Sequence, residues 1–235
     1  MRDLKLLVIK HMFMIKVIRA LLGEVLIFKN REAIEFIRTK KIKENDSISE
    51  RGLPFQDVYF FSGHYKTMLL RYLFAANFFC KDNDVLETCC GLGWGAYLVS
   101  EQAKKVVAFD LDKTALDFCR KEWNADNVMW IEGNALDFSF LDGKKFDVVL
   151  AMETIEHFKK EDGEKYINNI SLVLKNDGVL IGTSAFPTTR DEADKLASKN
   201  IHHPYIWTEK EMKVLLSKYF KNYVIINRWM FIAKK

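Results

Sequence analysis

Tyr223-Val224-Ile225-Ile226-Asn227-Arg228-Trp229-Met230-Phe231-Ile232 sets two β-rich runs, Tyr223–Ile226 and Trp229–Ile232, on either side of two turn residues. Strands joined that tightly can only run antiparallel, because a parallel pair needs a crossover of a dozen or more residues. Just upstream, Thr208-Glu209-Lys210-Glu211 spells a capping box, and Met212, Leu215, Leu216, Tyr219 and Phe220 follow as an apolar helical face. The chain therefore closes on a helix and an antiparallel hairpin.

Further upstream the rhythm is different. Val85–Glu87, Val106–Asp110, Asn127–Ile131, Phe146–Met152 and Val179–Ser184 read as strands. Helices fall around Ala96–Ala103, at Thr114–Trp123 and at Tyr166–Leu174, and Asn176-Asp177-Gly178 turns into the fifth strand. Strands alternating with helices predict a parallel sheet covered on both faces. Before it, Tyr65, Met68, Leu69, Tyr72, Leu73 and Ala76 mark one helix, Arg31–Lys43 a strongly charged one, and Glu44–Asp57 a loop holding Pro54. The expected fold is α/β: a doubly wound, mostly parallel seven-stranded sheet with an antiparallel C-terminal hairpin and N-terminal helices. Residues 1–57 form a helical extension in this reading and residues 58–235 the main domain.

Composition agrees. The chain has 235 residues, 49% hydrophobic and 29% charged, which suits a globular domain with a sizeable core. Cys80, Cys89, Cys90 and Cys119 match neither a disulfide framework nor a zinc pattern, so a reducing, cytoplasmic setting is expected. Residues 1–45 carry eleven Lys/Arg against five Asp/Glu, a local +6, whereas residues 46–235 carry twenty-five against twenty-seven, a local −2. The main domain thus lacks the basic footprint of a nucleic-acid binder.

The first 28 residues raise a membrane question. Lys5, Lys10, Lys16, Arg19 and Glu24 interrupt the apolar run Leu4–Phe28, so it is not a clean span. On a helix these charges share one half of the circumference, and Leu7, Met14, Ile18, Leu21, Leu22 and Val25 occupy the other. No small-residue cleavage site follows, which speaks against a signal peptide. Such an amphipathic helix packs on the domain or on a second subunit of a homodimer, or lies on the inner face of an anionic membrane.

The chemistry begins where the first expected strand meets its helix, at Glu87-Thr88-Cys89-Cys90-Gly91-Leu92-Gly93-Trp94-Gly95. Glycines there let the backbone approach a ligand, and the helix start offers unpaired N–H groups. Gly91-Leu92-Gly93-Trp94-Gly95-Ala96 also satisfies the relaxed dinucleotide pattern. Asp110, seventeen residues after Gly93, stands where a carboxylate accepts the ribose hydroxyls of an adenosine. NAD and S-adenosylmethionine share that nucleoside. Glu87 separates them: a carboxylate beneath the loop repels a pyrophosphate and attracts the ammonium of a methionine.

Here the sequence resembles the class I S-adenosylmethionine-dependent methyltransferases, whose fold is a Rossmann-like sheet closed by such a hairpin. Val85–Gly93 is similar to their hydrophobic–acidic–x–x–x–Gly–x–Gly motif, with Cys89 where a first glycine is frequent. Val107-Ala108-Phe109-Asp110 is similar to the second motif, and Gly133-Asn134-Ala135 to the adenine loop, with Asn134 for the common aspartate. Phe146–Leu150 followed by Glu153-Thr154-Ile155-Glu156-His157 resembles the fourth. The likeness runs from about Phe61 to Phe220. It implies that Glu87, Gly91 and Gly93 hold the methionine end, Asp110 the ribose and Asn134 the adenine edge, with Leu111 on the ring and Ala135 beside it. Arg71-Tyr72-Leu73-Phe74-Ala75 resembles an Arg-Tyr-x-Phe-Ala signature of bacterial relatives, in which the arginine meets the methionine carboxylate. Tyr72 reads equally as core packing.

The acceptor is narrowed by elimination. The Asn/Asp-Pro-Pro-aromatic motif of amino-methylating nucleic-acid enzymes is missing, because the prolines are Pro54, Pro187 and Pro204. Cytosine-carbon methylation needs Pro-Cys where Met152-Glu153-Thr154 stands. Methylation of an oxygen on a small molecule, a glycan or a lipid-linked sugar remains, and it needs alignment plus a base. His157 is the candidate base, with Glu153 and His203 beside it. A likeness of Glu153-x-x-Glu156-His157 to metal-binding O-methyltransferases implies instead that these three hold Mg²⁺ with His202 or His203. A third reading gives the carboxylates only a helix-start role. Three rivals stand beside the methyltransferase reading. An NAD(P)-dependent reductase or epimerase would need Tyr-x-x-x-Lys, which no tyrosine here begins. The others are a non-catalytic S-adenosylmethionine-binding subunit and an RNA 2′-O-methyltransferase, the latter disfavoured by the −2 of residues 46–235.

Overall fold

The computed structural model describes residues 23–40 and 64–235. Residues 23–29 are helical and lead into α1 (Arg31–Arg38). The core elements follow in order: α2 (His64–Ala75), β1 (Asp84–Thr88), α3 (Trp94–Ser100), β2 (Lys105–Asp110), α4 (Lys113–Glu122), β3 (Val128–Glu132) and β4 (Phe146–Met152). After them come α5 (Lys160–Val173), β5 (Leu174–Thr183), α6 (Arg190–Ala197), α7 (Glu209–Ser217), β6 (Asn222–Ile226) and β7 (Met230–Lys234).

The strands form one sheet in the order β3-β2-β1-β4-β5-β7-β6. The first five pair in parallel, and β7 runs antiparallel between β5 and β6. Alternate residues build two cores. Val85, Val106, Ala108, Val148 and Leu150 join the helices α1–α4 on one face. Leu86, Val107, Phe109, Val149 and Leu180 join α5 and α7 on the other. Both faces are covered, which is why these strands read as near-continuous apolar runs. The strand order reverses between β1 and β4, so their carboxyl ends open the crevice where doubly wound sheets bind ligands.

The helix starts follow local chemistry. Asp112 caps α4 by accepting from the amides of Thr114 and Ala115, and Thr208 with Glu211 closes the expected capping box on α7. Each such cap is worth about 1 kcal/mol. Asn227 (φ 52°) and Arg228 (φ 61°) turn the hairpin, and the Trp229 amide bonds the Ile226 carbonyl at 3.1 Å. Trp229 therefore belongs to the turn, and the last strand starts one residue later than expected.

Other differences are instructive. Asn176-Asp177-Gly178 does not precede the fifth strand but lies inside it. α5 feeds directly into β5, and the pairing steps from Phe146–Leu174 to Val148–Val179 around Asp177 (φ 63°). Helix α6 stands in a stretch with no expected element. Its Thr189 cap accepts from Glu192, but only Ala193 is buried. The charged helix ends at Arg38, where the Thr39 hydroxyl turns back to the Phe36 carbonyl at 2.7 Å. Of its expected continuation through Lys43, Thr39 and Lys40 are not helical and residues 41–43 lie outside the described residues, as do most of the amphipathic run 4–28 and the loop 44–57. Leu26, Ala33, Ile34 and Ile37 pack into the same core as α2 and α3. Among the described residues, no helix is long and apolar enough to cross a membrane.

Candidate active site

Glu87 sits at the carboxyl end of β1, 1% exposed. The Tyr72 hydroxyl of α2 donates to its Oε1 at 2.6 Å, and its Oε2 is buried with no hydrogen-bond partner among the described residues. Burial, opposed by the Tyr72 bond and reinforced by the Asp110 charge, pushes its pKa up to about 8. A buried carboxylate oxygen left without a donor marks a place for a cation or donor from outside.

The loop above it is shaped by backbone constraints. Gly93 holds φ 73°, and a Cβ there would lie 2.6 Å from Cys119 Sγ and 2.7 Å from the Trp130 ring. Gly91 holds φ 55°. Cys89 also adopts a left-handed φ of 52°, so the cysteine keeps the backbone that a glycine would take freely. Asp110 clasps the loop from β2: its Oδ2 accepts from the Gly91 amide at 2.8 Å and its Oδ1 from the Asp112 amide at 2.9 Å. The Asp110 carbonyl in turn accepts from the Gly133 amide at 3.0 Å, which draws the third loop alongside. Leu111, 67% exposed, stands next to this junction. Asn134 folds its Oδ1 onto the Leu136 amide at 2.9 Å, and Ala135 is buried beneath.

A second group gathers at the carboxyl end of β4. Glu153 holds φ 47°, fixed by its amide bonding the Thr183 carbonyl at 3.0 Å and hydroxyl at 3.1 Å. Its carboxylate meets Arg71 at 2.6 Å, and the Arg71 guanidinium lies 5.6 Å from the centre of the Trp229 ring. Glu156 is 3% exposed, with Oε2 unpartnered. Burial first, then the Glu153 charge, raises its pKa well above the usual carboxylate range. The His157 and His203 rings meet edge-on, with centroids 4.9 Å apart. Asn200 accepts the His202 amide on Oδ1 at 2.9 Å, which turns its NH₂ toward His203 Nε2 at 3.2 Å. His203 Nε2 is thus an acceptor, which assigns the ring proton to Nδ1.

The structure brings Glu87, the glycine loop, Asp110 and the Gly133–Ala135 loop together along one strand edge. It also brings Glu156, His157 and His203 within 4.8 Å of one another by their donor atoms. Glu153 instead pairs with Arg71, and exposed His202 contributes its backbone to Asn200. One carboxylate and two imidazoles do not suit Mg²⁺, a hard ion that takes oxygen ligands. Asn200 and Trp229 carried no signal in the sequence. Gly95 did, as the third glycine of the cluster. A cleft of about 420 Å³ between α5 and α7, lined by Lys160, Arg190, Thr208 and Glu211 among others, contains none of these residues.

Sheet order, glycine loop and antiparallel hairpin together define a domain of Rossmann-like methyltransferase architecture. Residues 85–178 match the family described as a methyltransferase domain. A Mycobacterium tuberculosis protein named "Probable S-adenosylmethionine-dependent methyltransferase" is 31% identical over 137 residues, covering 56% of this chain and 45% of that protein. A fatty-acid O-methyltransferase of Mycolicibacterium smegmatis is 30% identical over 105 residues, 44% of this chain and 37% of its own. In fold, an O-methyltransferase family protein from Burkholderia thailandensis superposes with a TM-score of 0.57 at 14% identity, covering 92% of this chain and 71% of that one. Over these matched stretches the chain is similar to S-adenosylmethionine-dependent methyltransferases. It spans less than half the length of these two curated relatives.

Proposed function

We propose that the chain is an enzyme that transfers a methyl group from S-adenosylmethionine to an oxygen of a small molecule. The observation that carries this reading is the partnerless Glu87 Oε2 under the Gly91–Gly93 turn. It would receive the amino-acid ammonium and would repel a diphosphate, which disfavours the nicotinamide rival. A carboxylate has about four acceptor sites. Asp110 spends two on main-chain amides and so binds ribose from a rigid position. Leu111 and Ala135 border the adenine, and Asn134 meets its edge.

S-adenosylmethionine supplies an electrophilic methyl group when bound. The chain's own task is then to orient the acceptor and remove its proton. His157, exposed at the crevice beside His203, takes that proton, and neutral His203 holds the ring in place. Glu153 keeps Arg71 fixed across the acceptor side. A relative named for fatty-acid O-methylation, the Mycolicibacterium smegmatis protein above, supports oxygen as the acceptor atom.

The test is ligand-dependent melting. S-adenosylhomocysteine should raise the melting temperature, NADH should not, and Asp110→Asn should weaken the shift while keeping one of the two main-chain bonds. A shift with NADH alone would overturn the reading.

A further inference from the structure

We infer that Tyr72 is a positioning residue for the cofactor ammonium: it holds one oxygen of Glu87 so that the other is presented to the ligand. The inference rests on the reading above and adds a residue to it. Tyr72 lies on α2, fifteen residues before Glu87, and its hydroxyl reaches Oε1 at 2.6 Å. The ring is locked on both sides. Trp94 meets it edge-on with centroids 4.7 Å apart, and a Cβ on Gly95 would come within 2.3 Å of it. Gly95 is therefore the glycine that admits this ring, a demand separate from the loop's own turn.

A rotating carboxylate would spread its charge over both oxygens. Tied at Oε1, it offers a single direction, and that direction is the partnerless Oε2. The hydroxyl bond also opposes the burial that pushes Glu87 toward its neutral form. The titratable groups bearing on this pair are Asp110 from β2, Cys90 from the loop, Cys80 from the π-helical turn after α2, and Glu153 from beyond β4. All four are acidic or thiol groups whose charge would work against the Glu87 carboxylate. Tyr72 is the group that favours it.

The experiment compares two ligands by calorimetry on the full chain and on Tyr72→Phe. S-adenosylhomocysteine carries the ammonium, and methylthioadenosine keeps the adenosine and sulfur without it. A lost hydrogen bond to a charged group should weaken S-adenosylhomocysteine about tenfold or more at pH 7. Methylthioadenosine should bind as before, and the rise of affinity with pH should move to higher pH. Gly95→Ala, whose Cβ would crowd the Tyr72 ring at 2.3 Å and its hydroxyl at 2.7 Å while leaving the tyrosine in place, should reproduce the pH displacement. Equal losses for both ligands, or an unmoved pH profile, would make Tyr72 a packing residue and overturn the inference. Failure of the unmodified chain to bind S-adenosylhomocysteine would instead sink the functional reading itself.

Discussion

The two ends of the crevice are built by different means. At the end of β1 the geometry is set largely by the main chain: left-handed turns at Cys89, Gly91 and Gly93, and an aspartate that spends its oxygens on amides. At the end of β4 it is set by side chains holding other side chains: Arg71 on Glu153, Asn200 on His203, His157 against His203. Main-chain geometry tolerates few residues and recognises one ligand well. Side-chain pairing can be rewritten residue by residue, which would suit the acceptor side of the proposed transferase.

Three variants probe that contrast. Gly93→Val should do the most damage, because it adds a strained φ to atoms already within 2.7 Å of a Cβ. A loss of about 3 kcal/mol in stability is expected, read by urea unfolding, together with loss of S-adenosylhomocysteine binding. Near-normal binding in this variant would mean that the first end is not governed by backbone shape.

Glu87→Gln should have a smaller and pH-dependent effect. The folded-state pKa of Glu87 lies near 8, above its unfolded value, so the group stabilises the ligand-free protein below the unfolded pKa. That contribution is lost as the pH rises through about 8. The ligand-free variant should therefore outlast the parent in unfolding at pH 9 while binding S-adenosylhomocysteine about tenfold or more weakly. Parallel stability profiles for the two proteins would contradict the partnerless carboxylate.

Arg71→Met sharpens the comparison from the other side. It leaves Glu153 beside Glu156 without its cation, so turnover of acceptor should fall while S-adenosylhomocysteine affinity stays within about threefold, since Arg71 is held by Glu153 at 2.6 Å. A calorimetric titration showing a larger loss would put Arg71 on the methionine carboxylate, as the family likeness implied.

Legibility divides along the same line. β4 is read at its true bounds, Phe146–Met152, because a strand buried on both faces is an unbroken apolar run. The hairpin and the Thr208 box are local signals and survive in the structure. Helix α6 escapes because its apolar face amounts to Ala193, although Thr189-x-x-Glu192 announces its start. The positions of Asp110 and Glu87 are legible because they are fixed by strand ends. The Arg71–Glu153 pair joins residues 82 apart, and no local pattern encodes which cation a given carboxylate meets. The Tyr72–Glu87 bond is closer in sequence, yet a tyrosine on an apolar helix face looks the same whether its hydroxyl is used or idle.

Arg71 and Tyr72 are consecutive on α2, and each grips a carboxylate at the tip of a different strand. A helix is stiff along its axis, so a slide of α2 would drag both grips at once. The two ends of the crevice are thereby geared to a single rod, and a displacement at either end is carried to the other.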